Sequence, residues 1–333
     1  MASRTLPMSA SSQLPSLDEI REAQRLIYSL MQPTPQISWP LLNRLLGADV
    51  WVKHENHTPI GAFKARTAVV YAAELFRGPE KIKGLITATR GNHGQSVALA
   101  GKRFGVPVTI VVPFGNSVEK NEAMRAQGAT LIEFGQDFED ARLHAVALAQ
   151  EQGLHPVPAF HRNIVKGVAS YWMEFFGAVP DLDCVYVPIG MGSGICSAAT
   201  VRNGMGLNTK IVGVVAEGAP AYALSFEAGL VIEAVVTTQI ADGMACRTPD
   251  PDAVAIIQEN VHHMVRVTDA EIRRAMKIYF TSTHNLIEGA GAASLAAAIK
   301  EKELLSGKRV GLVATGGNVD HDVFASVLME GEH

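Results

Sequence analysis

The sequence predicts an α/β fold made of two open, mostly parallel sheets with helices on both faces. Apolar runs of strand type alternate with alanine-rich helical stretches along the chain. The strand candidates are continuously apolar, as strands are when both faces of their sheet are covered. The alternation forms two clusters, which predict a small domain at residues 51–155 and a large domain made of residues 1–50 and 156–333.

The first predicted element is a helix that begins with the capping box Ser16-Leu-Asp-Glu and runs to about Met31. The strand candidates that follow are 49–53, 84–88, 108–112, 130–134, 184–188, 210–216 and 309–314. The helical windows between them are 95–104, 117–127, 138–151 and 194–203. Ligands of open α/β sheets bind at the carboxyl ends of strands, so the loops that leave these strands are expected to carry the functional residues.

Composition excludes several classes of function. The 333 residues carry a net charge of -4, which gives no reason to expect a nucleic acid or an anionic membrane as partner. No apolar run approaches the roughly 18 residues of a membrane span. The three cysteines, Cys184, Cys196 and Cys246, form no Cys-x-x-Cys pair. We therefore expect a reduced, cytoplasmic setting without a disulfide framework or a zinc site.

One glycine-rich loop follows the strand candidate 184–188 and opens a helix. It reads Gly190-Met191-Gly192-Ser193-Gly194. Backbone N–H groups and a helix N-terminus in such a loop form a cradle for phosphate, although a tight turn would need glycine too. A dinucleotide is the rival ligand, because Glu217 ends the next strand as a ribose-binding acid would. The dinucleotide spacing would require glycine at Ile195, so the nicotinamide interpretation is the weaker one.

A second loop follows the strand candidate 84–88 and precedes an alanine-rich helix. It reads Thr89-Arg90-Gly91-Asn92-His93. A helix N-terminus with polar side chains suits a carboxylate and a neutral hydrogen-bonding group. Taken alone, Asn92 would be a helix cap and His93 a packed, hydrogen-bonded histidine.

A third loop carries Thr315, whose hydroxyl can donate or accept, ahead of Gly-Gly-Asn318. This arrangement lets a ring approach closely, although Gly-Gly-Asn is also an ordinary turn. His284 and Glu288 are weaker candidates that could reach a pocket. A glycine-rich helix start is the simpler account of the segment that holds them.

Lys64 stands between Phe63 and Ala65, just past a Pro59-x-Gly61 turn. Apolar neighbours desolvate an ammonium and favour the neutral, nucleophilic amine, which can form a Schiff base with an aldehyde. A helical lysine with its head in water is the alternative. A desolvated lysine, a phosphate cradle, an asparagine loop and a hydroxyl-bearing loop together indicate a phosphorylated aromatic aldehyde, pyridoxal 5′-phosphate.

The ordered set of motifs resembles the fold-type II pyridoxal-phosphate enzymes, whose fold is like that of the tryptophan synthase β subunit. Within them the chain is similar to the serine/threonine dehydratase group, which includes threonine dehydratase, phenylserine dehydratase and serine racemase. The resemblance extends from about residue 17 to 325. Its motifs are Pro59-x-Gly-Ala-Phe-Lys64-x-Arg66, Gly91-Asn-His-Gly-Gln95, the loop 190–194, Ala241-Asp-Gly243 and Thr315-Gly-Gly-Asn318.

The resemblance implies a role for each motif. Lys64, in the small domain together with the Asn92 loop, would hold the cofactor as a Schiff base and remove the α-proton of the substrate. The loop 190–194 of the large domain would bind the cofactor phosphate. Phe63 would pack against the ring, Asn92 would hydrogen-bond its hydroxyl, and Thr315 would face its nitrogen. The loop 89–93 would hold the substrate carboxylate through backbone N–H groups.

Two departures from the group bear on activity. Arg90 stands where the group commonly has the serine that acts as the opposite-face acid/base in serine racemase, so racemase activity is not expected. Glu217 matches one ligand of the divalent cation that related enzymes bind. Ala221 and Ala223 follow where a second carboxylate would be expected, so no metal is predicted.

The resemblance implies an ammonia-lyase that converts L-β-hydroxy amino acids to 2-oxo acids and ammonia. Threonine and serine are the default substrates, and phenylserine and 3-hydroxyaspartate stay open because of Arg90. The chain stops shortly after Asn318, so we expect a degradative role without a regulatory domain, in a cytoplasmic homodimer. The alternatives are a β-replacement enzyme of the cysteine synthase type, a nicotinamide dehydrogenase, and a non-catalytic protein that binds pyridoxal phosphate or amino acids.

Overall fold

The computed structural model of the chain describes residues 14–331. Its strands are β1 (Gln36–Ser38), β2 (Asp49–His54), β3 (Leu85–Ala88), β4 (Val108–Val112), β5 (Thr130–Glu133), β6 (His155–Pro156), β7 (Cys184–Pro188), β8 (Lys210–Ala216), β9 (His263–Val267) and β10 (Arg309–Ala314). Its α-helices are α1 (Leu17–Tyr28), α2 (Pro40–Leu46), α3 (Thr67–Arg77), α4 (Asn92–Phe104), α5 (Val118–Ala126), α6 (Phe138–Gln152), α7 (Arg162–Ala178), α8 (Ser193–Gly204), α9 (Ala221–Ala228), α10 (Pro251–Asn260), α11 (Asp269–Thr283), α12 (Gly289–Lys300) and α13 (His321–Met329). Short 3-10 turns occupy Phe63–Arg66, Asp242–Met244 and Lys302–Leu304.

The strands form two sheets, as the sequence predicts. The six-stranded sheet has the order β1-β2-β10-β7-β8-β9, and the four-stranded sheet has the order β5-β4-β3-β6. Every pairing is parallel except that of β1 with β2. Because parallel strands end at one edge of a sheet, β2, β7 and β10 deliver their exit loops to the same place. Among the described residues, no helix is both long and apolar enough to cross a membrane.

The strand β2 lies in the larger sheet, although the predicted domain boundary places residues 51–54 with the small domain. β2 pairs with β10 along its whole length, from Asp49 opposite Arg309 to His54 opposite Ala314. The partner is about 260 residues away in sequence, and an apolar run does not reveal which distant strand it will join. The boundary at residue 51 therefore cuts a strand of the six-stranded sheet. The division into two domains stays a prediction.

The long helix α7 forms the centre of the helical layer. It is not among the helical windows that the sequence predicts. It packs against α1, α3 and α8. The rings of Tyr171, Trp172, Phe175 and Phe176 lie along one buried face, with centroids 5.0 Å apart for Tyr171–Trp172 and 5.2 Å apart for Trp172–Phe176. Aromatic side chains bury large apolar areas, so this helix anchors both sheets to one core.

Four charged side chains are buried together beneath the turn that carries Lys64. Arg66 donates to Glu55 at 2.8 Å and to Glu174 at 2.6 Å, and Lys53 donates to Glu174 at 2.6 Å. The side chains of Lys53, Glu55 and Arg66 are wholly buried. Burial alone would raise the pKa of Glu174, but Arg66 and Lys53 lower it below the usual range. Glu174 therefore stays ionised, and the network ties the end of β2, the 3-10 turn and α7 to one another.

We predict that Arg66→Met strongly destabilises the protein, because it leaves two buried carboxylates without their main partner. The free energy of unfolding should fall by about 3–5 kcal/mol, measured from urea unfolding of the cofactor-free chain. Arg77→Met is the matched control, since the Arg77 side chain is 58% exposed and pairs with Glu22 and Glu74 on the surface. Its loss should lower the free energy by less than about 1 kcal/mol. Equal effects of the two substitutions would contradict the prediction.

Candidate active site

The turn that carries Lys64 is hydrogen-bonded to the loop that follows β10. The N–H of Phe63 donates to the carbonyl of Thr315 at 2.9 Å, and the N–H of Gly317 donates to the carbonyl of Gly61 at 2.9 Å. Between them, Ala62 and Gly316 form an antiparallel bridge. The structure thus joins two of the predicted loops, those of Lys64 and Thr315, through backbone bonds that do not depend on side-chain identity.

The Lys64 amine lies between two of the predicted cofactor-binding residues. Its Nζ is 3.5 Å from Ser193 Oγ and 4.9 Å from the centre of the Phe63 ring. No carboxylate forms an ion pair with it among residues 14–331. Burial lowers the pKa of Lys64 to about 8, because an unpaired ammonium is poorly solvated there. The amine therefore has a large neutral, nucleophilic fraction near neutral pH, as the sequence predicts.

The glycine loop between β7 and α8 needs glycine at two of its three positions. Gly192 caps α8 with a φ of +94°, and a Cβ atom there would lie 2.8 Å from Ala253 Cβ. A Cβ atom on Gly190 would lie 2.1 Å from the carbonyl oxygen of Gly243. At Gly194 the nearest atoms would be 3.8 Å away, which is ordinary contact. The first N–H groups of α8 have no intrahelical partners, so this loop can receive a phosphate.

Asn92 is not the cap of its helix. That position belongs to Gly91, and Asn92 is the first residue of α4. The Asn92 amide instead donates from Nδ2 to Glu288 Oε1 at 2.7 Å and accepts at Oδ1 from Asn318 Nδ2 at 2.7 Å. The helix-cap alternative is therefore wrong, and the asparagine joins three separate loops.

His93 is buried beside Lys64 as a neutral imidazole. Burial, and then the neighbouring Lys64, lowers the pKa of His93 to about 4. Its Nε2 lies 3.4 Å from the carbonyl oxygen of Val157, whereas no partner for Nδ1 is found within the described part of the chain. The same holds for Nε2 of Gln95, two residues further along the chain. Buried polar atoms are normally satisfied, so both atoms indicate that a ligand or water completes the start of α4.

The other predicted site residues differ in exposure. Thr315 and Thr89 are buried, and Thr89 Oγ1 accepts from the N–H of Gly91 at 3.1 Å. Met191 is half-buried, and its carbonyl accepts from Tyr222 Oη at 2.9 Å. Arg90, by contrast, is exposed.

A cavity beside Asn92 contains charged residues that the sequence reading did not select. Lys120 Nζ lies 3.0 Å from Asp242, and the stem of Lys120 lies next to Gly91. Glu288 and Asp320 complete the acidic lining. The Ala241-Asp-Gly243 motif was a signal for Asp242. For Glu288, the sequence favours the simpler interpretation of a glycine-rich helix start, and this residue is only a weaker candidate there.

The cavity does not resemble a metal centre. In residues 14–331, no group of three or more His, Cys, Asp or Glu side chains could hold a metal ion. Glu217, the residue that matches one family ligand, is exposed.

The residues fit pyridoxal 5′-phosphate. The unpaired amine of Lys64 suits its aldehyde, and the glycine loop suits its phosphate. The unpartnered Nδ1 of His93 adds a polar atom that a bound group can satisfy. Lys64, Ser193 and His93 come from three elements that meet at one point, which is the arrangement that a phosphorylated aldehyde requires.

We predict that Gly192→Ala and Gly194→Ala differ in phosphate binding. Alanine at position 192 meets Ala253 and strains the left-handed backbone, so the affinity for inorganic phosphate, measured by calorimetry, should fall by about tenfold or more. Alanine at position 194 has space and should leave the affinity within about twofold. If Gly194→Ala were the more damaging substitution, the phosphate would not lie on this loop as described.

Comparisons with known proteins agree with this geometry. The family model described as pyridoxal-phosphate dependent enzyme matches residues 27–316. L-threo-3-hydroxyaspartate ammonia-lyase of Saccharomyces cerevisiae is 31% identical over 95% of this chain and 97% of its own. Serine racemase of Schizosaccharomyces pombe is 29% identical over 97% of this chain and 100% of its own. The solved structure of processed threonine deaminase isoform 2 from Solanum lycopersicum has a TM-score of 0.86 and 30% identity, and the match covers 97% of this chain and 98% of that one.

These similarities confirm four predictions from the sequence: the two-sheet fold class, the family resemblance, the pyridoxal-phosphate cofactor, and an enzyme of the dehydratase type. They cover nearly the whole chain, so the likeness is not confined to one motif. The chain belongs to the family of pyridoxal-phosphate-dependent enzymes.

Proposed function

We propose that this enzyme is an ammonia-lyase that acts on L-β-hydroxy amino acids, with threonine and serine as its default substrates. The observation that carries the proposal is the desolvated Lys64 amine, which has Ser193 of the glycine loop 3.5 Å away. Two relatives support it, since they are named as an ammonia-lyase of 3-hydroxyaspartate and a threonine deaminase.

Each loop has a task in this reaction. When bound, the cofactor supplies an electron sink that acidifies the substrate α-proton. Lys64 would hold the cofactor aldehyde through Nζ, and the same atom would take the α-proton of the substrate. The N–H groups of the 190–194 loop hold the phosphate, and Phe63 and Asn92 hold the ring. The neutral hydroxyl of Thr315 accepts or donates at the ring nitrogen without the charge that a carboxylate would bring.

The substrate is oriented by the start of α4. The N–H groups of residues 89–93 would hold its carboxylate, with Thr89 buried against them. Loss of the α-proton and of the β-hydroxyl as water leaves an enamino acid, which hydrolyses to a 2-oxo acid and ammonia. Arg90 is exposed, and a guanidinium supplies no acid or base for a substrate carbon, so Arg90 cannot return a proton to the opposite face. The proposal therefore includes elimination and not racemisation.

A homodimer in the cytoplasm is part of the proposal. The homodimer rests on the family resemblance. The cytoplasmic setting rests on the buried, unpaired state of Cys184, Cys196 and Cys246. Burial raises the pKa of Cys196 above its usual range, which makes this thiol unreactive.

We predict that the rate of cofactor capture depends on pH through Lys64. Only the neutral amine attacks an aldehyde, so the rate of appearance of visible absorbance should rise about tenfold per pH unit below the pKa and then level off. For Lys64 the plateau should begin at about pH 8, measured by stopped-flow mixing of pyridoxal phosphate with the cofactor-free chain. A short lysine peptide is the reference and should plateau near pH 10.4. The visible band should be absent in Lys64→Ala, and a rate that still climbs beyond pH 10 would contradict a buried amine.

We predict that threonine and serine yield 2-oxo acid and ammonia, and that the purified enzyme produces no D-amino acid. A panel of threonine, serine, phenylserine and 3-hydroxyaspartate, scored for 2-oxo acid, ranks the substrates. Lys64→Arg is the control that keeps the charge without a free amine, and its activity should fall at least about a thousandfold. A β-replacement enzyme would instead form a new amino acid from activated serine and sulfide. Cofactor binding without turnover of any panel member would favour a non-catalytic binding protein, and bound nicotinamide would favour a dehydrogenase.

A further inference from the structure

Glu288 is a buried carboxylic acid that the proposed reaction does not yet use. It precedes α12, its side chain makes no capping bond to that helix, and only 7% of the residue is exposed. Its N–H donates to the carbonyl of Gly316 at 3.0 Å, next to Thr315. Its side chain lies beside Gly316 and accepts from Asn92 at 2.7 Å. Glu288 therefore stands between the Asn92 loop and the Thr315 loop.

The hydrogen bonds around Asn92 define the orientation of its amide. Asn318 Nδ2 uses both hydrogens, one on the carbonyl of Ile60 at 2.8 Å and one on Asn92 Oδ1 at 2.7 Å. The oxygen of the Asn92 amide thus faces Asn318, and its nitrogen faces Glu288. An NH₂ group has two hydrogens, and Glu288 takes one of them. The second hydrogen has no acceptor among residues 14–331 and is left for a ligand.

We propose that Glu288 is a positioning residue that fixes the Asn92 amide so that its second N–H binds the ring hydroxyl of pyridoxal phosphate. This inference rests on the proposed function only in its choice of cofactor, because the hydrogen bonds exist without a ligand. Without Glu288, the Asn92 nitrogen would lose its one protein acceptor, and only Asn318 would restrain the amide. With Glu288, both ends of the amide are held and the free hydrogen has one direction.

The same geometry couples the ring to the charge of Glu288. Lys120 of α5 and Asp242 of the 3-10 turn are charged groups that face it, and Asp320 lines the same cavity, while Asn92 and Asn318 are neutral. Burial raises the pKa of Glu288 to about 7, although Lys120 and Asn92 act in the opposite direction. The carboxyl is thus neutral below this pH and negative above it. Since Asn92 alone separates it from the ring hydroxyl, its ionisation should change the absorbance of the bound cofactor.

The test compares Glu288→Ala, Glu288→Gln and the wild type as complete enzymes loaded with pyridoxal phosphate. Two readouts are used: cofactor affinity by fluorescence titration, and the visible spectrum between pH 5.5 and 9. Glu288→Ala should weaken cofactor binding by about tenfold or more, the loss expected for a hydrogen bond to a charged group. Glu288→Gln keeps an acceptor for Asn92 and should bind within about threefold. It should also lose the spectral change that the wild type undergoes near pH 7.

Glu301→Gln is the matched control, because Glu301 lies at the other end of α12, about 20 Å away at 1.5 Å per residue. It accepts from Tyr186 at 2.8 Å and from His263 at 2.8 Å, so it is also a hydrogen-bonded, partly buried glutamate. Its affinity and spectrum should match the wild type.

An alanine variant with wild-type affinity, or a glutamine variant with an unchanged spectral transition near pH 7, would overturn the role of Glu288. If Glu288→Ala does not fold, the spectral titration of Glu288→Gln still decides. Failure of the wild type to turn over any amino acid would refute the proposed lyase activity, yet both cofactor readouts would remain valid. The two failures are therefore distinguishable.

Discussion

The buried ion pairs of Arg66 hold the turn that carries Lys64 in place. Arg66 follows Lys64 by two residues and bonds Glu55 on one side and Glu174 on the other. Isolated charges cannot remain in an apolar interior, so these partners must be brought together before the turn Phe63–Arg66 can form. The network binds the end of β2 to α7, and Lys64 sits at its edge. Because this network fixes the turn, the position of the Lys64 amine does not depend on an ion pair of its own.

The contrast between these two cations explains the chemistry of the site. Arg66 is as buried as a side chain can be, but it is fully paired. Lys64 has the Ser193 hydroxyl at 3.5 Å, with the Phe63 ring and the neutral imidazole of His93 nearby, and no carboxylate of residues 14–331 forms an ion pair with it. A buried cation that is paired with carboxylates keeps its charge, whereas burial without such a partner lowers the pKa of an amine. Two basic residues in one short turn are thus given opposite roles by their surroundings.

The site is assembled from loops that meet because their strands are parallel. The loops that follow β2 and β10 are joined by the backbone hydrogen bonds of Phe63 and Gly317. The exit of β3 joins them through side chains only, since Asn92 reaches Asn318 and Glu288. Backbone hydrogen bonds of Phe63 and Gly317 therefore define the position of Lys64. Side-chain hydrogen bonds of Asn92 define where the four-stranded sheet approaches Lys64. The amide of Asn92 is consequently a contact that joins the loop after β3 to the loops of the larger sheet.

Sequence alone determined the fold class and most of the loops that meet at the candidate active site. Apolar continuity and turn glycines are local, and so are the apolar neighbours of Lys64, which is why they can be read from a single chain. Only the tertiary structure decided which strands pair and which side chains meet. It placed β2 in the larger sheet, left Arg90 exposed, and bonded Asn92, the predicted partner of the ring hydroxyl, to Glu288. These outcomes depend on contacts across more than 190 residues of sequence, and no local pattern encodes a partner at that distance.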